Sequence, residues 1–208
     1  GLVGSEMCIR DRYYARPTQD GLVDWYGRVA AEFPDLPIVL YNVPFRAAVE
    51  VAPETLLRLR RAHANVVGIK ETTKDFEHVS RVIATCGRDV LVWCGIELLC
   101  LPTLALGGTG LISAAANIAP GAVAELAAAW DRGDRERALE LHYALHPLVD
   151  LLFLETNPAP AKWLLHRIGM LDAPTCRPPL APLRPESEAR VLALYEEARD
   201  LVPAPLPE

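Results

Sequence analysis

Val66-Val67-Gly68-Ile69-Lys70-Glu71-Thr72-Thr73 is the stretch on which both the fold and the chemistry turn. A short β-branched apolar run bounded by polar residues reads as a buried strand. Strand alternation puts Val66, Gly68 and Lys70 on one face. Lysine is rarely buried without a partner or a task. The C-terminal end of an apolar parallel strand is where α/β proteins keep their reacting groups. Working towards the N-terminus, Pro37-Ile38-Val39-Leu40 reads as a second strand. It delivers Tyr41 at the head of Tyr41-Asn42-Val43-Pro44-Phe45-Arg46. An amine and a phenol on successive strand ends can supply a nucleophile and a proton-transfer group. Each also has an ordinary reading. A strand-end lysine snorkels to water, and a tyrosine packs its ring while its hydroxyl stays wet.

Outward from these strands, the pattern alternates. The periodicity predicts a helix over 18–33 with Leu22, Trp25, Tyr26, Val29 and Phe33 on one stripe. A second helix opens at Pro53-Glu54, with proline and an acid in the first turn. A third covers 75–85, strand 90–93 ends at Cys94-Gly95, a short helix spans about 97–106, and a last strand covers 110–114. Inward faces carry Val39, Gly68 and Val92. This is the signature of βα units and a parallel sheet. Four strands are counted. Helices are then expected over 120–130, 135–152, 158–168 and 186–199, with Gly169 as a helix stop and 174–185 irregular.

Composition excludes several classes. Net charge is −6 and acids and bases are interspersed, so no basic stripe offers itself to nucleic acid. No apolar run reaches membrane-spanning length. The five cysteines show no C-x-x-C spacing, which favours reduced thiols in a cytoplasmic protein and no structural metal. His142 and His146 have i, i+4 spacing but no evident third ligand. All five histidines read as surface or packing residues. Gly107-Gly108-Thr109-Gly110 precedes its strand, so it reads as a tight turn and not as a phosphate cradle.

Tyr41-Asn42-Val43-Pro44 with Arg46, followed by Gly68-Ile69-Lys70-Glu71, resembles the dihydrodipicolinate synthase / N-acetylneuraminate lyase family. Three more stretches agree in order. They are Tyr13-Tyr14-Ala15-Arg16-Pro17-Thr18, Gly107-Gly108-Thr109-Gly110-Leu111-Ile112-Ser113 and Asn157-Pro158-Ala159-Pro160-Ala161-Lys162. The resemblance implies an α/β fold, the C-terminal half of a (β/α)8 TIM barrel (about strands 5–8), with a C-terminal helical extension. Residues 13–117 would form the partial barrel, 118–201 the helical region and 202–208 a disordered tail. Residues 1–12 lack strand or helix periodicity and read as a non-native segment joined to a truncated gene.

The resemblance also implies a class I lyase. Lysine free in water titrates near about 10.4, so a nucleophilic amine must be desolvated, as an apolar strand end allows. Lys70 would attack pyruvate, and the resulting covalent iminium is itself the electron sink, with no cofactor. Tyr41 would relay protons. Tyr14 would reach across a subunit interface in a homodimer or homotetramer. Arg46, a guanidinium fork, would grip the carboxylate of the second substrate; its ordinary reading is a surface ion pair. Gly95 and Ile112 would line the pyruvate pocket; their ordinary reading is barrel packing. Arg46 favours the synthase branch, in which the acceptor is aspartate semialdehyde and the product leads to lysine and diaminopimelate. A related 2-oxo-acid aldolase acting on sialic acid, sugar acids or aromatic degradation products is the alternative. Ala15, Phe45 and the Ile96-Glu97-Leu98-Leu99 run depart from the synthase pattern and point towards it. The alternative of another class is a non-catalytic fragment or paralogue serving as an interaction surface. The family threonine that links the two tyrosines, and the cradle for the pyruvate carboxylate, would lie upstream. The chain alone is therefore expected to be inactive and poorly folded.

Overall fold

Among the described residues, five parallel strands form one sheet in sequence order. They are β1 (Glu6–Cys8), β2 (Ile38–Asn42), β3 (Val66–Glu71), β4 (Leu91–Cys94) and β5 (Gly110–Leu111). Between them run α1 (Gln19–Glu32), the short α2 (Pro44–Ala47), α3 (Pro53–Ala62), α4 (Phe76–Cys86) and α5 (Cys100–Ala105). The structure, a computed structural model, describes residues 16–203 and the strand backbone of 6–8. The chain divides into two compact units, Gly1–Ile112 and Ser113–Glu208.

Local chemistry sets the element boundaries in the first unit. Thr18 caps α1 by accepting the Gly21 N–H, and Asp75 caps α4 by accepting the His78 N–H. Pro53 opens α3, where the missing N–H would be unpaired in any case. Parallel strands need crossover helices on a sheet face, and α1, α3 and α4 bury their apolar stripes there. Leu22, Tyr26, Leu56, Leu59 and Val82 pack on Ile38, Leu40, Ile69 and Val92 in one core.

Two face assignments differ from the sequence expectation. The register runs Ile38↔Val66 and then Val39↔Gly68, so Val67 is an extra, bulged residue. The bulge turns Val66 to the helix-covered side with Ile38, while Gly68 and Lys70 keep the opposite face. Val92 pairs with Ile69 and also lies in the helix-side core; Leu91 and Trp93 take the other face.

Other expectations are corrected too. The four-strand count becomes five, because Glu6–Cys8 pairs in parallel with Ile38–Leu40. The last strand is only Gly110–Leu111, followed by a 3-10 turn over Ala115–Asn117. The alanines at 114–116 favour helical over extended backbone.

The second unit is helical, with α6 (Pro120–Asp131), α7 (Arg135–Ala144), α8 (His146–Leu152), α9 (Ala159–Arg167) and α10 (Pro185–Glu197). The single helix expected over 135–152 is two, because Pro147 lacks the N–H that would continue α7. α6 packs on α7, and α10 on α8 and α9, burying Leu126, Leu148, Leu151, Leu164, Val191 and Tyr195. Gly169 ends α9 with a φ of 76°, the left-handed conformation that glycine adopts without a Cβ penalty. No helix among the described residues is long and apolar enough to cross a membrane.

Candidate active site

The parallel register makes one row of Tyr41, Lys70, Trp93 and Gly110 across β2 to β5. Partners in register point to the same face, so the two residues singled out from sequence become neighbours. Lys70 Nζ lies 4.3 Å from the centre of the Tyr41 ring. That is a cation–π distance when the amine is charged. Both side chains are half-buried.

Two glycines make room for this row. A methyl group on Gly95 would collide with Thr72 Oγ1 and come within 2.8 Å of Lys70 Cε. A methyl on Gly68 would run into the Leu91 carbonyl and the Trp93 ring, whose Cζ3 is 2.8 Å away. Gly95 therefore seats the lysine stem, and Gly68 seats the indole beside it.

A cleft of about 480 Å³ opens among residues that follow the ends of β2, β3 and β4: Pro44, Phe45, Thr72, Thr73, Lys74 and Ile96. Thr72 is buried, yet its hydroxyl finds no hydrogen-bond partner among the described residues. Arg46 is exposed on α2, its guanidinium carbon 5.7 Å from the centre of the Phe45 ring. It stands beside the cleft and does not line it. Ile112 is half-buried just past β5 and donates its N–H to the Cys94 carbonyl at 2.9 Å. Tyr14, with Tyr13, lies outside the described residues. The structure thus brings together Lys70, Tyr41 and Gly95. Arg46 follows the end of β2 and Ile112 the end of β5.

Behind the row, on the helix-covered face, lies a polar cluster that sequence reading missed. Asn42, Glu71 and His78 are 1%, 3% and 6% exposed. Asn42 Nδ2 donates to Glu71 Oε2 at 2.8 Å, and Asn42 Oδ1 accepts the Val51 N–H at 3.1 Å. His78 Nε2 is 3.3 Å from Glu71 Oε1, and its Nδ1 is 3.2 Å from Glu50 Oε2. Burial pushes the Glu71 carboxyl up, only partly offset by the bonds from His78 and Asn42. Burial pulls His78 down, but the bond to Glu71 and the charges of Glu71, Glu50 and Asp75 outweigh it and raise the ring above 6.5. His78 is therefore no surface or packing histidine. The available signal was its i, i+7 spacing from Glu71, which only the strand-to-helix turn converts into a contact. Of the other histidines, His142 and His146 stack edge-on, 5.1 Å between ring centres, beside Tyr143. Burial pushes Cys86 up to about 11 and Cys100 up to about 12, which disfavours the reactive thiolate at both.

Comparison with known proteins agrees with this architecture. The chain is 44% identical over 184 residues to 4-hydroxy-tetrahydrodipicolinate synthase of Thermus thermophilus, covering 88% of this chain and 61% of the relative. The enzyme of that name from Methanothrix thermoacetophila is 45% identical over 190 residues, covering 91% and 63%. The crystal structure of dihydrodipicolinate synthase from Aquifex aeolicus superposes with a TM-score of 0.86 at 38% identity, covering 92% of this chain and 64% of that one. The Thermotoga maritima enzyme gives a TM-score of 0.87 at 35% identity, covering 97% and 68%. The chain thus spans about three fifths of the length of the curated relatives it matches. The profile of the Dihydrodipicolinate synthetase family matches residues 7–198, and with a parallel sheet that carries Tyr41 and Lys70 in one register row, the chain belongs to that family.

Proposed function

We propose that these residues carry the nucleophilic half of a Schiff-base-forming pyruvate lyase of the 4-hydroxy-tetrahydrodipicolinate synthase kind. The observation that carries the reading is the placement of Lys70 Nζ over the Tyr41 ring at the sheet's C-terminal edge, with Gly95 leaving space for the lysine stem. The neutral Lys70 amine adds to the C2 carbonyl of pyruvate, and the carbinolamine loses water to give an iminium. The iminium withdraws electrons from C3, which gives up a proton and becomes an enamine. The enamine carbon attacks the aldehyde of aspartate semialdehyde with its C=C pair, so a carbon–carbon bond forms, the iminium re-forms on Lys70 and the aldehyde oxygen takes a proton. Addition of the acceptor's own amino group to that iminium then expels Lys70 as the free amine. Tyr41, next to the amine, is the group that moves these protons. No cofactor enters, because the iminium is the electron sink.

Arg46, beside the cleft that Phe45 and Thr72 line, is the partner for the acceptor's carboxylate. Gly95 and Ile112 frame the pyruvate side. The five parallel strands are read as part of a TIM barrel, with β2 to β5 as its fifth to eighth strands. The complete enzyme is read as a cytoplasmic homo-oligomer to whose neighbouring site Tyr14 contributes. The 208 residues alone are not expected to turn over. Formation of the iminium needs less than turnover and gives the test. Cyanoborohydride with millimolar pyruvate should fix one adduct on the peptide carrying Lys70. An adduct spread over Lys74 and Lys162, or persisting in Lys70→Ala, would overturn the reading.

A further inference from the structure

Glu71 and His78 follow directly from the geometry of the row but take no part in its chemistry. Tyr41 is followed by Asn42 and Lys70 by Glu71, so each reacting residue has a buried polar neighbour on the opposite face. Asn42 and Glu71 are themselves register partners, joined by the 2.8 Å bond across the strands. His78 reaches up from α4 to Glu71. Its other ring nitrogen meets Glu50 in the loop between α2 and α3. That loop is fixed on both sides. Gln19 donates to the Glu50 carbonyl at 2.8 Å and accepts the Ala52 N–H at 3.0 Å, while Asn42 accepts the Val51 N–H.

A neutral imidazole has one N–H donor. Here both ring nitrogens face carboxylate oxygens, with Asn42 Nδ2 also 3.5 Å from Nε2, and only the imidazolium donates to both carboxylates. The other groups facing the pair are Asp75 at the α4 cap and Asn42 on β2, with Cys94 on β4 near Glu71. None of them is a cation that could replace a proton lost from His78.

We propose that Glu71 and His78 are a buried positioning pair that clamps the strand ends bearing Tyr41 and Lys70, and that the clamp holds only while His78 is protonated. The proposal rests on the reading of Lys70 as the nucleophile, but it concerns the lysine's placement and not pyruvate. When the proton leaves, the ring keeps a single N–H, which can serve Glu71 or Glu50 but not both, so the bridge between the β3 end and the Glu50 loop opens on one side. The β3 end relaxes, and Lys70 moves from its seat against Gly95.

The test is competitive acetylation of the full chain by acetic anhydride between pH 5 and 9, with Lys162 as internal reference. The Lys70-to-Lys162 labelling ratio should rise in a step above pH 6.5, by about tenfold, the scale of one lost hydrogen bond to a charged group. His78→Gln should hold the ratio high throughout, and His78→Arg, charged at every pH used, should hold it low. A native ratio without a step overturns the proposal, with no variant needed. So does a step that survives in His78→Gln. Cyanoborohydride trapping in parallel samples keeps the two readings apart. Absence of a pyruvate adduct counts against the pyruvate chemistry, while the labelling ratio alone judges the pair.

Discussion

Lys70 depends on a residue that has no side chain. Gly95 sits where a methyl group would strike Thr72 Oγ1 and press on Lys70 Cε, so its role is steric clearance. Its φ is not in the left-handed region. Gly95→Ala should therefore leave the backbone path open and push the lysine stem out of place. A displacement of about 1 Å can cost about 10²-fold in a positioned reaction. Pyruvate trapping on Lys70 should slow by about that factor in the variant, while far-UV circular dichroism stays native. Trapping at the native rate would return Gly95 to ordinary packing. Lysine, tyrosine and glycine were all legible as candidates, because strand alternation and strand ends can be read from apolar runs. Their contact was not legible. The bulge at Val67 decides which β3 residues share a face, and bulges leave little trace in sequence.

At the scale of elements, α4 shows why the rest stayed hidden. Its stripe of Val79, Val82 and Cys86 marks it as helix from sequence alone, and the strands at 38–42 and 66–71 are equally plain. His78 lies on that buried face, where it looks like any helix histidine until β3 places Glu71 against it. The pair carries a pH dependence whose sign is fixed. The folded ring holds its proton above the ordinary 6.5, so its contribution to stability is complete below pH 6.5. It is lost as pH rises through the folded value. Glu71, also raised from 4.5, acts in the same direction, since the folded carboxyl also binds its proton more tightly. Thermal midpoints at one fixed protein concentration should fall as pH rises above 6.5. His78→Gln should lower the midpoint at pH 6 by the equivalent of about 3–5 kcal/mol, the cost of stripping one partner from a buried pair, and should flatten the slope. Parallel native and variant curves would mean that the ring's proton does not govern stability.

At the largest scale, the deciding feature is that the sheet formed by the described residues is open. A closed (β/α)8 barrel has eight strands and no edges, whereas the described residues hold five strands in linear order, with β1 and β5 at the margins. Short edge strands of three and two residues limit the hazard of edge pairing without removing it. The face opposite the helices carries the half-buried Tyr41, Leu91 and Trp93 as well as Lys70. Phe45, Tyr143, Phe153 and Met170 add exposed apolar surface. Unpaired backbone groups next to apolar side chains favour association with another copy, since burial is worth roughly 25 cal/mol per Å². The purified 208-residue chain should therefore sediment as a concentration-dependent mixture of oligomers. It should also give no condensation of pyruvate with aspartate semialdehyde, because it spans only 61% of the length of the Thermus thermophilus synthase. Sedimentation as a single monomeric species with measurable condensation would show that five strands suffice, both for a closed surface and for the complete reaction.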